Sequence, residues 1–193
     1  CRWVLKEEER QERRIRILLG LVLFYTLCFC VLWAKGACCI PVGDQASVCT
    51  AASGFRCGDY SMLTKDSYEK YLFIHPHQLG LTALIELIFA CFGNGNFQAF
   101  EYLNCLGAVL CVYSGYGITR LLAKDKRGIV YYLLLAACCF PLFFYVTFVY
   151  GEIPSLAYSL LAVWMFLEYQ KREKKWCLAA CCIACTLACL IRN

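Results

Sequence analysis

Two carboxylates draw attention by where they fall. Asp44 follows the first long apolar run by a few residues, in PVGDQ, and Glu152 occupies the short turn YGEIPS between two later runs. Acids held at one level of a helix bundle can divide the work of a general base and an orienting or cation-holding group. Each alone is equally well read as a solvated loop acid. A second group opens the stretch HPHQLGLTALIELIFACF, where His75, His77 and Gln78 surround Pro76. A helix start gathers unsatisfied N–H groups and partial positive charge, which suits phosphate; capping and metal ligation fit the same residues. Glu101 and Asn104 lie three apart, on one helical face near the end of an apolar run. Such polar groups either face a cavity or pack between helices. Arg192, at the end of the last run, either anchors an interface or meets a lipid phosphate.

Other chemistry has little support. Cys177, Cys181, Cys185 and Cys189 recur every four residues and form one helical stripe. A metal site there competes with plain small-residue packing, which explains the spacing better. No P-loop, GxSxG elbow, HExxH or paired CxxC set occurs. Most of the 17 cysteines sit in apolar runs, where cysteine acts as a small hydrophobe. Cys38, Cys39, Cys49 and Cys57 lie in a polar loop, and their pairing does not follow from sequence.

What positions these residues is a set of membrane-length runs. Of 193 residues, 61% are hydrophobic, and the mean hydropathy of +0.58 exceeds that of ordinary soluble domains. The chain is therefore expected to be an all-α polytopic membrane protein. It begins with Cys1 and ends at Asn193 just after an apolar run, as an internal piece of something longer would. Candidate crossings are residues 15–34, 97–122, 129–150, 153–169 and 176–191. The first reads as a retained anchor, although AKGACC just beyond it would suit signal cleavage. The net charge of +5 collects between the runs, so it reports membrane topology and not nucleic-acid binding.

Those basic clusters decide the topology. Arg10, Arg13, Arg14 and Arg16 precede the first run, Arg120, Lys124, Lys126 and Arg127 separate the second from the third, and Lys171, Arg172, Lys174 and Lys175 separate the fourth from the fifth. All three fall on the cytoplasmic side if residues 78–92 do not cross. Fifteen helical residues rise only about 22 Å, short of a core of about 30 Å, and Glu86 sits mid-stretch. The expectation is an interfacial helix outside the membrane. Residues 1–14 are then a cytoplasmic N-terminal segment, residues 15–193 one transmembrane domain, and residues 35–96 a large external loop, otherwise polar and turn-rich.

The order of these features resembles the N-terminal half of a GT-C superfamily glycosyltransferase, of the protein-mannosyltransferase and aminoarabinose-transferase group. The resemblance rests on the first run, Asp44 in PVGDQ, the proline-containing HPHQLG, the basic TRLLAKDKR and Glu152 in VYGEIPS. It departs from the pattern in one respect, since Glu152 has no neighbouring acid. The resemblance implies transfer of a sugar from a polyprenyl-phosphate donor to a glycan, lipid or protein acceptor, with inversion. It implies Asp44 as general base, and an active site at the external face of a bacterial plasma membrane. Glu152 would orient the acceptor, hold a divalent cation or position Asp44. The rivals are a flippase for a lipid-linked intermediate, which would place ionisable residues and broken helices at mid-span, and a noncatalytic assembly subunit.

Overall fold

The computed structural model describes residues 2–192, with side chains from Glu8 onward. It is helical throughout, with no strand among the described residues. α1 (Arg2–Ala37) is followed by α2 (Asp44–Arg56), a 3₁₀ turn (Ser61–Leu63), α3 (Tyr71–Ile74), a second 3₁₀ turn (Pro76–Gln78) and α4 (Leu79–Phe92). Then come α5 (Phe97–Leu122), α6 (Lys126–Ala137), α7 (Phe140–Phe144), a 3₁₀ turn (Tyr145–Thr147), α8 (Glu152–Arg172) and α9 (Lys175–Ile191).

Local chemistry sets several of these boundaries. The Asn96 side chain accepts from Ala99 N at 3.3 Å and starts α5, and Asp125 does the same for α6 through Gly128 N at 3.0 Å. Gly93, at φ 106, ends α4 in a conformation that only glycine adopts readily. The third apolar run, expected as one helix, is broken: α6 stops at Ala137, and Pro141 opens α7 after a bend of 43°. Proline removes the backbone donor that a continuous helix would need there.

Two described helices, Glu8–Ala37 and Phe97–Leu122, are long and apolar enough to cross a membrane, and the bent pair Lys126–Ala137 and Phe140–Thr147 makes a third if it counts as one span. Of the five crossings expected, only these two or three are supported. α9, at 17 residues, falls short of the usual length.

Contacts along the bundle fix the direction of each helix. Glu12 on α1 pairs with Arg120 near the end of α5 at 3.8 Å, while near the other end of α1 Cys30 and Ala34 pack with Cys105 and Ala108 in the first half of α5. α1 and α5 are therefore antiparallel. The Tyr132 hydroxyl donates to Val112 O at 2.9 Å, bringing α6 back along α5. Gly107 and Gly117 of α5 face Ile153 and Trp164 of α8, so those two run parallel, and Ser155 donates to Ala188 O at 3.2 Å, which sets α9 antiparallel to α8. In consequence the three basic clusters share one end of the bundle. The end of α1 and the start of α5 share the other.

A segment that leaves and re-enters at the same end makes an even number of crossings, and α4, with 14 residues, rises only about 21 Å. It does not cross. Leu81, Ile85, Ile88 and Phe89 bury one of its faces against Val48 and Ala52 of α2, Phe100 of α5 and Ile191 of α9. Leu79, Ala83, Leu87 and Ala90 leave the opposite face apolar and exposed, a face suited to lying along a bilayer surface. The loop expected to be merely polar and turn-rich also contains α2, whose buried Val48, Ala51, Ala52 and Phe55 follow the i, i+3, i+4, i+7 spacing of an amphipathic helix.

Candidate active site

At the end opposite the basic clusters, four elements meet: the start of α2, the Val149–Gly151 turn before α8, the 3₁₀ turn that leads into α4, and the end of α9. Two hydrogen bonds tie the first to the second. Gln45 Oε1 accepts from Val149 N at 2.9 Å, and Asp44 Oδ2 accepts from the Tyr150 hydroxyl at 3.1 Å. Glu152, the first residue of α8, forms an ion pair with Arg192, which follows α9. Its other carboxylate oxygen, Oε2, is buried without a partner. The two acids thus lie on either side of Tyr150, each tied to a different partner.

A cavity of about 230 Å³ opens among His77, Gln78, Tyr150, Gly151, Ile191 and Arg192. Its walls depend on close backbone approach. A Cβ on Gly151 would lie 2.8 Å from Ile191 O, and one on Gly80 would collide with the backbone of Leu190. These two glycines let the start of α4 and the turn before α8 close on the end of α9.

The aromatic side chains extend the site. The rings of Tyr71 and His75 are 4.8 Å apart by centroid, and those of His75 and His77 5.7 Å apart at nearly a right angle. Burial, the hydrogen bond to Asp44 and the charges of Tyr71 and Asp44 push the Tyr150 phenol far above its ordinary value. Burial and then the charge of Asp44 also raise Tyr71. Because the raised groups are acids, both phenols keep their protons through the neutral range, and any stability they lend is lost only as pH climbs through their folded values. Tyr150 therefore stays a donor to Asp44.

Of the residues singled out from sequence, His77, Gln78 and Arg192 line the cavity, and Asp44, Glu152 and His75 surround it through direct contacts. Glu101 and Asn104 do not reach it. Asn104 is fully buried, and its amide donates to Val146 O at 3.0 Å and Phe148 O at 2.8 Å. It fixes the segment that delivers Tyr150. Glu101 is 1% exposed, and its Oε1 has no partner. Sequence reasoning passed over Tyr150 and Gln45, whose partners lie more than a hundred positions away. Among the described residues no three His, Cys, Asp or Glu side chains gather in a metal-holding cluster.

Helices of membrane-crossing length, with a cavity walled by His77, Gln78, Tyr150 and Arg192 at one end of the bundle, agree with the resemblance to membrane glycosyltransferases of GT-C type. Residues 75–193 match the family model described as dolichyl-phosphate-mannose-protein mannosyltransferase, and the chain belongs to that family of membrane glycosyltransferases. The match begins at His75 and takes in Glu152 and Arg192, leaving Asp44 and α2 upstream. No curated protein and no solved structure matches the chain.

Proposed function

We propose that this chain transfers a sugar from a polyprenyl-phosphate donor to an acceptor hydroxyl, with inversion, at the external membrane surface. The observation that carries the reading is the shared position of Asp44, Tyr150, Glu152 and Arg192 around the cavity at which α4 begins.

In this mechanism Asp44 takes the proton from the acceptor hydroxyl as that oxygen attacks the anomeric carbon. The bond to the donor phosphate breaks on the opposite face, and the polyprenyl phosphate leaves with its negative charge. Arg192, with His77 and the first N–H groups of α4, faces that charge. Tyr150 holds Asp44 in place through the hydrogen bond it donates. Glu152 sets the Arg192 guanidinium and offers its unpartnered oxygen to the acceptor or to a divalent cation. A polyprenyl tail in hydrocarbon keeps its phosphate at the interface, where this cavity lies.

Tyr150→Phe tests the positioning role. A hydrogen bond to a charged group contributes about 1.5–3 kcal/mol, so transfer should fall roughly tenfold to a hundredfold, with donor KM little changed. An unaltered kcat would remove Tyr150 from the mechanism. The function itself is tested in membranes containing the protein and a labelled polyprenyl-phosphate sugar, with a nucleotide sugar in parallel. Label should pass to an acceptor from the lipid donor alone; transfer from the nucleotide sugar alone would overturn the reading.

A flippase is favoured by one observation, the 43° break between α6 and α7. Movement of an intact lipid-linked sugar between leaflets with no bond cleaved would support that alternative.

A further inference from the structure

At the end of the bundle away from the cavity, an open groove of about 580 Å³ lies between the start of α1 and the start of α6. Arg14, Lys126 and Arg127 line it together with Ile15, Val130 and Tyr131. The arrangement is layered along each helix. Ile15 begins the apolar run of α1 and Ile129 that of α6, and Arg14, Arg127 and Lys126 stand one, two and three residues before those boundaries. Tyr131 is exposed at 65%, an amphipathic ring at the level where such rings settle at a bilayer surface.

The charges in this groove are not balanced from within. Asp125 is its one carboxylate, and Asp125 Oδ1 is engaged by Gly128 N at the start of α6. The nearby acids Glu8, Glu9 and Glu12 line an adjoining groove with Arg13 and Arg16, which shares Lys126 with this one, and Glu12 is paired with Arg16 and Arg120. Lys126 Nζ donates to Glu8 O at 3.2 Å, which fixes its ammonium between the two helices. Among the described residues Arg14 and Arg127 have no acid within ion-pair distance. Two unpaired guanidiniums and a held ammonium above an apolar floor offer a phosphodiester its counter-charges and offer acyl chains a surface to lie on.

We propose that this groove binds the headgroup of an anionic phospholipid of the leaflet at that end, with its phosphate between Arg14 and Arg127 and its chains along Ile15, Val130 and Tyr131. A lipid seated there would bridge α1 and α6, separately from the transfer cavity.

The test uses the wild-type protein in phosphatidylcholine vesicles that contain a trace of photoactivatable phosphatidylglycerol or, in parallel, photoactivatable phosphatidylcholine, with labelled residues mapped by mass spectrometry. Each cation near the surface is worth roughly fivefold in lipid partitioning. The anionic probe should therefore mark residues 10–18 and 125–131 about 25-fold more than the zwitterionic one. Unlabelled phosphatidylglycerol should suppress the marking, and inorganic phosphate should not. R14Q/R127Q should abolish the preference and R172Q should leave it. Equal marking by both probes in the wild type, suppression by phosphate alone, or a preference that survives R14Q/R127Q would each overturn the proposal. The wild-type comparison stands even if the double variant does not accumulate.

Discussion

Asp44→Asn should reduce sugar transfer by about 10²–10⁴-fold, the usual contribution of a general base, while the amount of protein in the membrane is unchanged. Asparagine keeps the size of the side chain and an oxygen able to accept from Tyr150, and it is tolerated at the start of α2. What is lost is the basic oxygen that the proposed mechanism uses to take the acceptor proton. The loss should appear in kcat with lipid-linked donor at saturation. Transfer at wild-type rate by this variant would take Asp44 out of the chemistry. Loss of both protein and activity would instead mark Asp44 as a structural residue of the α2 junction.

Arg192→Gln should be nearly as damaging, by a different route. The guanidinium lies on the cavity wall and is paired with Glu152. Removing it takes away the cation that the proposed mechanism sets against the leaving phosphate and frees Glu152 of its partner. Loss of one preorganised group that meets developing charge typically lowers kcat by about 10²–10³. Donor KM should rise as well, because the phosphate is charged before reaction. Arg192→Lys should recover part of the activity, since it keeps the charge and loses the planar fork. Kinetics of both variants with lipid-linked donor, at equal protein abundance, decide the matter. If Arg192→Gln changed neither constant, Arg192 would be an interface anchor only.

Much of the frame was legible from sequence because membrane spans declare themselves by length and apolarity. The second run, at residues 97–122, coincides with α5, and the stretch after HPHQ forms a helix too short to cross, as its length and Glu86 imply. The grouping of the basic clusters was legible for the same reason, since short loops between runs must alternate ends.

What escaped the sequence has physical causes too. α2 was hidden because small residues, Ala51 and Ala52, supply half of its apolar face and its surroundings are rich in Gly and Ser; the spacing of Val48 and Phe55 was the available signal. The break in the third run was less visible than its cause. Pro141 lies within apolar sequence, and hydropathy does not register a missing donor. Of the five crossings expected, two or three meet the length and apolarity of a span; apolar helices buried in a bundle and apolar helices in lipid have similar composition, so hydropathy alone does not separate them. Around the cavity, the acids and histidines were recognisable by type, whereas Tyr150 acquires its role only through a contact across 106 positions. Asn104 shows the converse: helical face left it open to a cavity or to packing between helices, and the structure decides for packing by giving its amide to two backbone carbonyls.

The account stands on a single transfer centre at the end where α2 and α4 begin and α9 ends. The most direct measurement is photo-crosslinking of the protein in membranes with a polyprenyl-phosphate sugar analogue that carries the reactive group next to its phosphate, followed by mapping of the modified residues. Modification should fall within residues 75–80, 149–152 and 190–192 and should be competed away by the natural donor. Modification confined to the opposite end, within residues 10–16, 120–127 and 171–175, would contradict it.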